Sequence, residues 1–442
     1  MARKYLVETF GCQMNYHDSE RIAGLLEAQG YEHTANERDA DLVVINTCSV
    51  RERAEDKLYT RLGEIREMAA ETGRTPLVAV AGCVAQQEGE RLLKRDKSID
   101  VVIGTQSLKE LPRLVQEAAE VRKPRVDTHP HDDVSFPLGV ARPSDAVRAW
   151  VTIIEGCNEF CAFCVVPYTR GHERMRPVRD ILAEVKQAAD SGRQEVQLLG
   201  QIVNHYQAPD DPGCDFAELL TRTAAVPGIA RVRFASPHPR HVNDRLIAVL
   251  RDVPQICKHL HMPVQSGSNR ILKAMRRRYT RESYLDLVDR LRQEVPGVAL
   301  STDMIVGFPG ETAEDFDETL DLVRRARYHS MYSFKYSPRP NTLAIKRMAD
   351  DVPEIEKTRR ILALQALQQA AQTAHFEAAV GTVEDILVDG ASRRRDHEVA
   401  GRTSGNTVVN FPGPADWIGR IIPVRITAAG PNSLRGEPCL SR

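Results

Sequence analysis

Glu155-Gly156-Cys157-Asn158-Glu159-Phe160-Cys161-Ala162-Phe163-Cys164-Val165-Val166-Pro167 places three thiols within eight residues. Thiols this close can meet at one metal centre, and short spacings of this kind hold iron–sulfur clusters. No fourth cysteine lies in the neighbourhood. Three protein ligands leave one coordination position open, as catalytic metal sites do and closed structural sites do not. The alternatives are a zinc site or plain buried thiols, but zinc sites normally bring a fourth Cys or His at short spacing.

The surrounding chain has 442 residues, room for about three domains on a prior of roughly 100–200 residues each. An apolar content of 42% supports a buried core and argues against disorder. The formal net charge of −1 means that a polyanion must be met by a local patch. Nine cysteines in such a length do not make a disulfide scaffold. Met1-Ala2-Arg3-Lys4-Tyr5 runs straight into a strand-like segment with no apolar signal stretch. No apolar run approaches the roughly 18 residues of a membrane span. The expectation is a cytoplasmic protein without membrane contact, whose cysteines serve metals or catalysis.

Upstream of the quoted run, residues 1–121 alternate strand and helix patterns. Strands are expected at 5–10, 41–45, 76–81 and 101–103. Helices are expected at 51–68, 87–94 and 108–120, and in a segment capped by Ser19 with Ile22, Leu25 and Leu26 on its apolar face and Gly30 as its stop. Such alternation implies an open parallel α/β domain. Cys12, Cys48 and Cys83 each fall just past the carboxyl end of a successive strand. In a parallel sheet those ends share one edge, where open α/β folds bind ligands. Topology therefore predicts a second three-thiol site, against the alternative of three separate loop cysteines.

Residues 122–148, punctuated by Pro124, Pro130, Pro137 and Pro143, read as a linker. His129, His131, Asp132 and Asp133 show no ligand periodicity there and read as solvated. Residues 149–378 resume the alternation with six βα units, a (β/α)6 partial barrel with its chemistry at the C-terminal face. Gln201, Ser236, Gln265 and Asp303 are read as following barrel strands and are ligand candidates. Arg170 can meet a phosphate or cofactor, or simply a surface carboxylate. Cys214, Cys257 and Cys439 lack partners at ligand spacing and receive no role. Residues 379–442 turn to short alternating strands punctuated by Gly381, Gly390, Gly405, Gly413 and Gly430, a small antiparallel β-barrel. Arg270, Lys273, Arg276, Arg277, Arg278 and Arg281 are six cations with no acid between Arg270 and Arg281, and Arg393-Arg394-Arg395 lies in a turn of the small barrel. Such patches give phosphate contacts that position RNA, with an ordinary solvated face as the alternative.

The Cys-x3-Cys-x2-Cys run with Phe163 before its last cysteine resembles the signature of the radical S-adenosylmethionine (radical SAM) enzymes. Two three-cysteine sites in this order, followed by a small barrel similar to the RNA-binding TRAM domain, resemble the methylthiotransferase subfamily over essentially the whole chain. Gly11-Cys12-Gln13-Met14-Asn15, Asn46-Thr47-Cys48-Ser49-Val50-Arg51-Glu52, Gly82-Cys83-Val84-Ala85-Gln86 and Cys164-Val165-Val166-Pro167-Tyr168-Thr169-Arg170-Gly171 resemble its tRNA branch. Ile202 stands where that branch usually has Asn.

The resemblance implies two 4Fe–4S clusters and S-adenosyl-L-methionine. Cys157, Cys161 and Cys164 would hold the radical-generating cluster, and Cys12, Cys48 and Cys83 a sulfur-donating one. Gln201, Ser236, Gln265 and Asp303 would contact S-adenosylmethionine. Arg276, Arg277, Arg278, Arg393, Arg394 and Arg395 would contact RNA. The implied activity is methylthiolation of carbon 2 of isopentenylated adenosine beside the tRNA anticodon, by a monomer fed by a one-electron donor such as flavodoxin or ferredoxin. The alternatives are threonylcarbamoyladenosine or a ribosomal-protein aspartate as substrate, or a non-catalytic iron–sulfur RNA-binding protein.

Overall fold

The computed structural model describes residues 2–49, 52–129, 141–392 and 395–439. Its first unit is a six-stranded sheet: β1 (Lys4–Phe10), β2 (Glu32–His33), β3 (Leu42–Thr47), β4 (Leu77–Gly82), β5 (Val101–Ile103) and β6 (Arg125–Asp127). The spatial order is β2-β1-β3-β4-β5-β6, with every pairing parallel. All six residues of β3 are buried, as expected of a central parallel strand covered on both faces. Ile22 and Leu26 of helix α1 (Gln13–Glu27) pack on one face, and Leu58, Leu62 and Ile65 of helix α2 (Glu52–Thr72) on the other. β6 lies within the segment read as linker, and its pairing with β5 extends the sheet. His131, Asp132 and Asp133 lie outside the described residues.

Two expected boundaries shift. α1 begins at Gln13, not after Ser19, because the Asn15 side chain accepts from the Cys12 backbone N–H and caps the helix seven residues earlier. Ser19 instead bonds Thr9 at 2.7 Å and Asn46 at 3.0 Å. The helix expected at 87–94 is two short ones, Cys83–Glu88 and Glu90–Arg95, broken at Gly89 with φ +51.

The central unit has six parallel strands in two triplets. β7 (Arg148–Thr152), β10 (Glu195–Leu199) and β11 (Arg231–Phe234) form one, and β12 (His259–His261), β13 (Ala299–Val306) and β14 (Ser330–Lys335) the other. A single parallel bridge, Val232 to Ile256, links the triplets. The short antiparallel pair β8 (Ile154–Glu155) and β9 (Arg174–Met175), which brackets the cysteine run, has no counterpart in the expected pattern. Helix Glu354–Ala379 closes the barrel, with Lys335 and Lys357 making hydrogen bonds at its start.

The last unit is a closed five-stranded barrel of β15 (Val383–Ala391), β16 (Glu398–Arg402), β17 (Val408–Pro412), β18 (Ile421–Ala429) and β19 (Leu434–Pro438). Four of its pairings are antiparallel; β17 and β19 run parallel. It docks on the amino-terminal ends of the central strands. Arg231 donates to the carbonyls of Arg402 and Asp385 at 2.6 and 2.5 Å, and Arg233 to those of Thr403 and Ser404 at 2.6 and 2.9 Å. Among the described residues, no helix is long and apolar enough to cross a membrane.

Candidate active site

Cys157, Cys161 and Cys164 occupy the loop between β8 and the short helix Val166–Thr169. Gly156 starts the loop at φ +80, and a Cβ there would sit 2.1 Å from the His172 carbonyl oxygen, so only glycine fits. The Cys164 N–H donates to the Cys161 carbonyl at 3.0 Å, and Ala162 is tied to Met275 and Ala344 by backbone bonds of 3.0 and 2.8 Å. Burial pushes the Cys157 thiol up to about 11 and the Cys164 thiol up to about 12, with the neighbouring Cys161 adding repulsion. Coordination to a metal ion is what deprotonates such thiols.

The polar residues after the strands behave unequally. Gln201 Oε1 and His238 Nε2 are buried with no hydrogen-bond partner among the described residues. Such orphaned groups call for a ligand. Ser236 and Gln265 adopt left-handed backbone, with φ of +61 and +78, a strain of about 1–3 kcal/mol each that tends to collect at binding sites. Asp303 lies inside β13 rather than after it, and its carboxylate meets His261 Nε2 at 3.2 Å.

Cys12, Cys48 and Cys83 follow β1, β3 and β4, which are neighbours in the sheet, with Phe10, Thr47 and Gly82 in register. The β1/β3 junction is where the strand order reverses, the usual ligand position of such sheets. Cys48 hydrogen-bonds with both Cys12 and Cys83. Those bonds, helped by the charge of Arg170, hold Cys12 and Cys83 below the usual thiol range, while the same bonds and burial push Cys48 up. Two residues that the sequence reading did not single out fix this edge. The Asn15 amide group donates to Asn46 Oδ1 at 3.1 Å and to the Thr47 carbonyl at 3.3 Å, and Asn46 returns a bond to the Asn15 carbonyl at 2.8 Å. Asn15 stands three residues past Cys12, the capping-box position, which is the sequence signal for it.

Arg170 joins the two sites. It is 5% exposed and donates to Asp18 of α1 at 2.6 Å, so its carboxylate partner is buried rather than on the surface. The Thr169 and Arg170 carbonyls accept from Thr105 and Gln106 of the first unit at 2.5 and 2.9 Å. The segment that begins at Cys164 therefore ends against the second thiol triad.

The expected RNA contacts divide. Arg276 and Arg278 are exposed, but Arg277 is only 5% exposed and is turned inward, which removes it from any RNA surface. Arg270 and Arg281 pair with Asp315 and Asp321, acids supplied by another helix, Ala313–Ala326. Arg395 is exposed and lies 3.5 Å from Glu398, while Arg393 and Arg394 fall outside the described residues.

Among the described residues, no three His, Cys, Asp or Glu side chains gather tightly enough to hold a single metal ion. A four-iron cluster asks for something different, one thiolate for each of three separate irons. The all-thiol donor sets, the depressed Cys12 and Cys83 and the orphaned Gln201 oxygen fit such clusters and a polar co-ligand.

Residues 4–104 match the Uncharacterized protein family UPF0004, residues 151–323 the Radical SAM superfamily and residues 377–439 the TRAM domain. Among solved structures, the radical S-adenosylmethionine methyltransferase TsrM from Kitasatospora setae superposes with a TM-score of 0.57 at 15% identity, covering 88% of this chain and 82% of its own. The cobalamin-dependent S-adenosylmethionine radical enzyme OxsB gives 0.53 at 12% identity, covering 84% and 56%. Fold and domain content thus define a radical SAM protein with a TRAM barrel, a class that implies one 4Fe–4S cluster and S-adenosylmethionine.

The curated relatives are more specific. The tRNA-2-methylthio-N(6)-dimethylallyladenosine synthase of Carboxydothermus hydrogenoformans is 45% identical over 430 residues, 97% of each chain. That of Bordetella petrii is 45% identical over 446 residues, 99% of this chain and 91% of the relative. The chain belongs to the tRNA-2-methylthio-N(6)-dimethylallyladenosine synthase family.

Proposed function

We propose that the protein methylthiolates carbon 2 of isopentenylated adenosine beside the tRNA anticodon. The observation that carries this reading is a pair of open three-thiol sites on adjoining units, bridged by residues 164–170, in a chain with full-length synthase relatives. Carbon 2 of adenine carries an unactivated C–H bond that no side-chain base removes near pH 7. Bound clusters and S-adenosylmethionine would supply the hydrogen-abstracting chemistry at one site and a source of sulfur at the other.

The chain's own groups bind and orient. Cys157, Cys161 and Cys164 would hold the first cluster, three protein ligands for a site that also takes S-adenosylmethionine. Gln201, Ser236 and Gln265 line the adjoining strand ends as S-adenosylmethionine contacts, and Asp303 joins them through the barrel interior. Cys12, Cys48 and Cys83 would hold the second cluster, with the Arg170 charge beside them on the barrel side. Arg276, Arg278 and Arg395 present cations to RNA phosphates, together with the small barrel.

The division into residues 1–121, 122–148, 149–378 and 379–442, with the first unit carried on through β6, belongs to the same reading, as do a flavodoxin- or ferredoxin-like electron donor, a monomeric state and a cytoplasmic setting. Mass spectrometry of tRNA nucleosides from a deletion strain tests it. Loss of 2-methylthio-isopentenyladenosine is expected; its persistence in a strain with no paralogue refutes the assignment, and loss of a threonylcarbamoyladenosine derivative instead favours the sister substrate. Anaerobic analysis should find about eight irons per chain, and zinc without iron would refute the cluster assignment.

A further inference from the structure

Arg277 is the middle of three consecutive arginines, yet it alone is buried. Arg276 and Arg278 both have left-handed backbone, at φ +61 and +58, a conformation costly for any residue with a Cβ. The two turns swing the Arg277 side chain into the barrel. Its Nη2 donates to the Pro263 carbonyl at 2.7 Å and its Nε to the Tyr279 hydroxyl at 2.9 Å, and the guanidinium carbon lies 5.2 Å from the Tyr279 ring centre. The Tyr279 hydroxyl is itself anchored, donating to the Val264 carbonyl at 2.9 Å. The remaining nitrogen, Nη1, lies 3.4 Å from Cys161 Sγ.

Among the described residues, no carboxylate pairs with Arg277. A buried cation without a counter-charge costs several kcal/mol. The acceptor that meets its third donor is the Cys161 sulfur. The surroundings hold the guanidinium on two sides with neutral oxygens and aim the third at that sulfur.

We propose that Arg277 is a positioning residue that sets the reduction potential of the cluster on Cys157, Cys161 and Cys164, through a charge-assisted N–H···S hydrogen bond to Cys161. This rests on the reading of those three thiols as cluster ligands. Cluster potentials depend on net charge and on hydrogen bonds to the ligating sulfurs. One-electron reduction makes the cluster more negative, so a fixed neighbouring cation stabilises the reduced form more than the oxidised one. Arg277 therefore raises the potential toward the reach of a low-potential one-electron carrier.

The test is an EPR-monitored redox titration of the reconstituted full-length protein, following the reduced-cluster signal that responds to S-adenosylmethionine. Arg277→Met is expected to weaken the reduction equilibrium at least tenfold, about 59 mV downward for one electron. Arg277→Lys keeps the charge without the planar fork and should fall between the two. An Arg277→Met protein that loads iron normally and titrates at the wild-type potential overturns the proposal. If that variant fails to load iron, Tyr279→Phe, which loosens the guanidinium without deleting it, decides: a downward shift supports the proposal, and wild-type potentials in both Tyr279→Phe and Arg277→Lys overturn it. If the wild-type protein itself lacks a signal responsive to S-adenosylmethionine, or Cys161→Ala retains it, the cluster assignment falls, and the proposal with it.

Discussion

Arg170→Met removes the cation that links the two sites and leaves Asp18 behind. Both side chains are almost fully buried, at 5% and 3% exposure, so solvent screens their interaction little. Breaking a buried pair by deleting one partner costs about 3–5 kcal/mol, because the survivor is an uncompensated buried charge. Arg21 stands 4.0 Å from Asp18 and is shared with Glu155 at 2.9 Å, so it relieves part of that charge. The lower end, about 3 kcal/mol, is therefore expected. For a unit of roughly 150–250 residues that is a fall in Tm of about 6–12 °C.

The assay is thermal unfolding of the cluster-free protein followed by circular dichroism, which separates the ion pair from any effect of iron. The double variant Arg170→Met/Asp18→Asn tests the cause. With the orphaned charge gone, it should regain at least half of the lost Tm, as coupling between contacting residues requires. A fall of less than about 2 °C in the single variant, or a double variant no better than the single, would refute the reasoning.

Gly82→Ala places a Cβ 2.3 Å from Asn46 Oδ1 at a backbone φ of +92, immediately before Cys83. It should lower iron loading from about eight toward about four per chain while leaving cleavage of S-adenosylmethionine, as measured by 5′-deoxyadenosine release. Gln201→Leu removes a buried acceptor that has no partner among the described residues, so the cluster-free chain should gain stability by about 1 kcal/mol while affinity for S-adenosylmethionine falls; unchanged affinity by calorimetry would remove Gln201 from the site. Burial works to raise the Glu184 carboxyl, but the His17 hydrogen bond and the Arg176 charge outweigh it and hold the group at about 2 against an ordinary 4.5. A depressed acid contributes its stability above pH 4.5 and loses it as pH falls toward 2. About 1.4 kcal/mol should therefore be gone by pH 3.5, and Glu184→Gln should flatten the Tm difference between pH 7 and pH 3.5.

The Cys157, Cys161 and Cys164 run was legible from spacing alone, and the candidate site at Cys12, Cys48 and Cys83 because strand–helix alternation sets where strand ends fall. That β1, β3 and β4 are adjacent is a matter of sheet order, which periodicity does not encode. The arginine run misled for a similar reason. Absence of acids along the chain says nothing about acids brought in from another helix, and Asp315 and Asp321 arrive that way. Nothing in three consecutive arginines marks the middle one as buried; two left-handed residues decide it, and arginine is not a residue that advertises that conformation. Asp303 was read as following a strand because β13 runs four residues further than its pattern suggested, through Val306.

The docking of the small barrel on the amino-terminal strand ends has a consequence for what the enzyme can accept. Ser404 Oγ accepts from the Lys258 N–H at 2.9 Å, at the start of the central strands, whereas the proposed cluster site of Cys157, Cys161 and Cys164 belongs to their far ends. The eight residues of β13 separate those levels by roughly 25 Å. An RNA gripped by both regions has to reach around the flank of the barrel, with the reacting base at one end and a distant stretch of backbone at the other. Because Arg231 and Arg233 clamp the small barrel through backbone carbonyls, that reach is a fixed span rather than an adjustable tether. On the function proposed above, the molecule works as a calliper, and an oligonucleotide too short to span both regions forfeits the second grip.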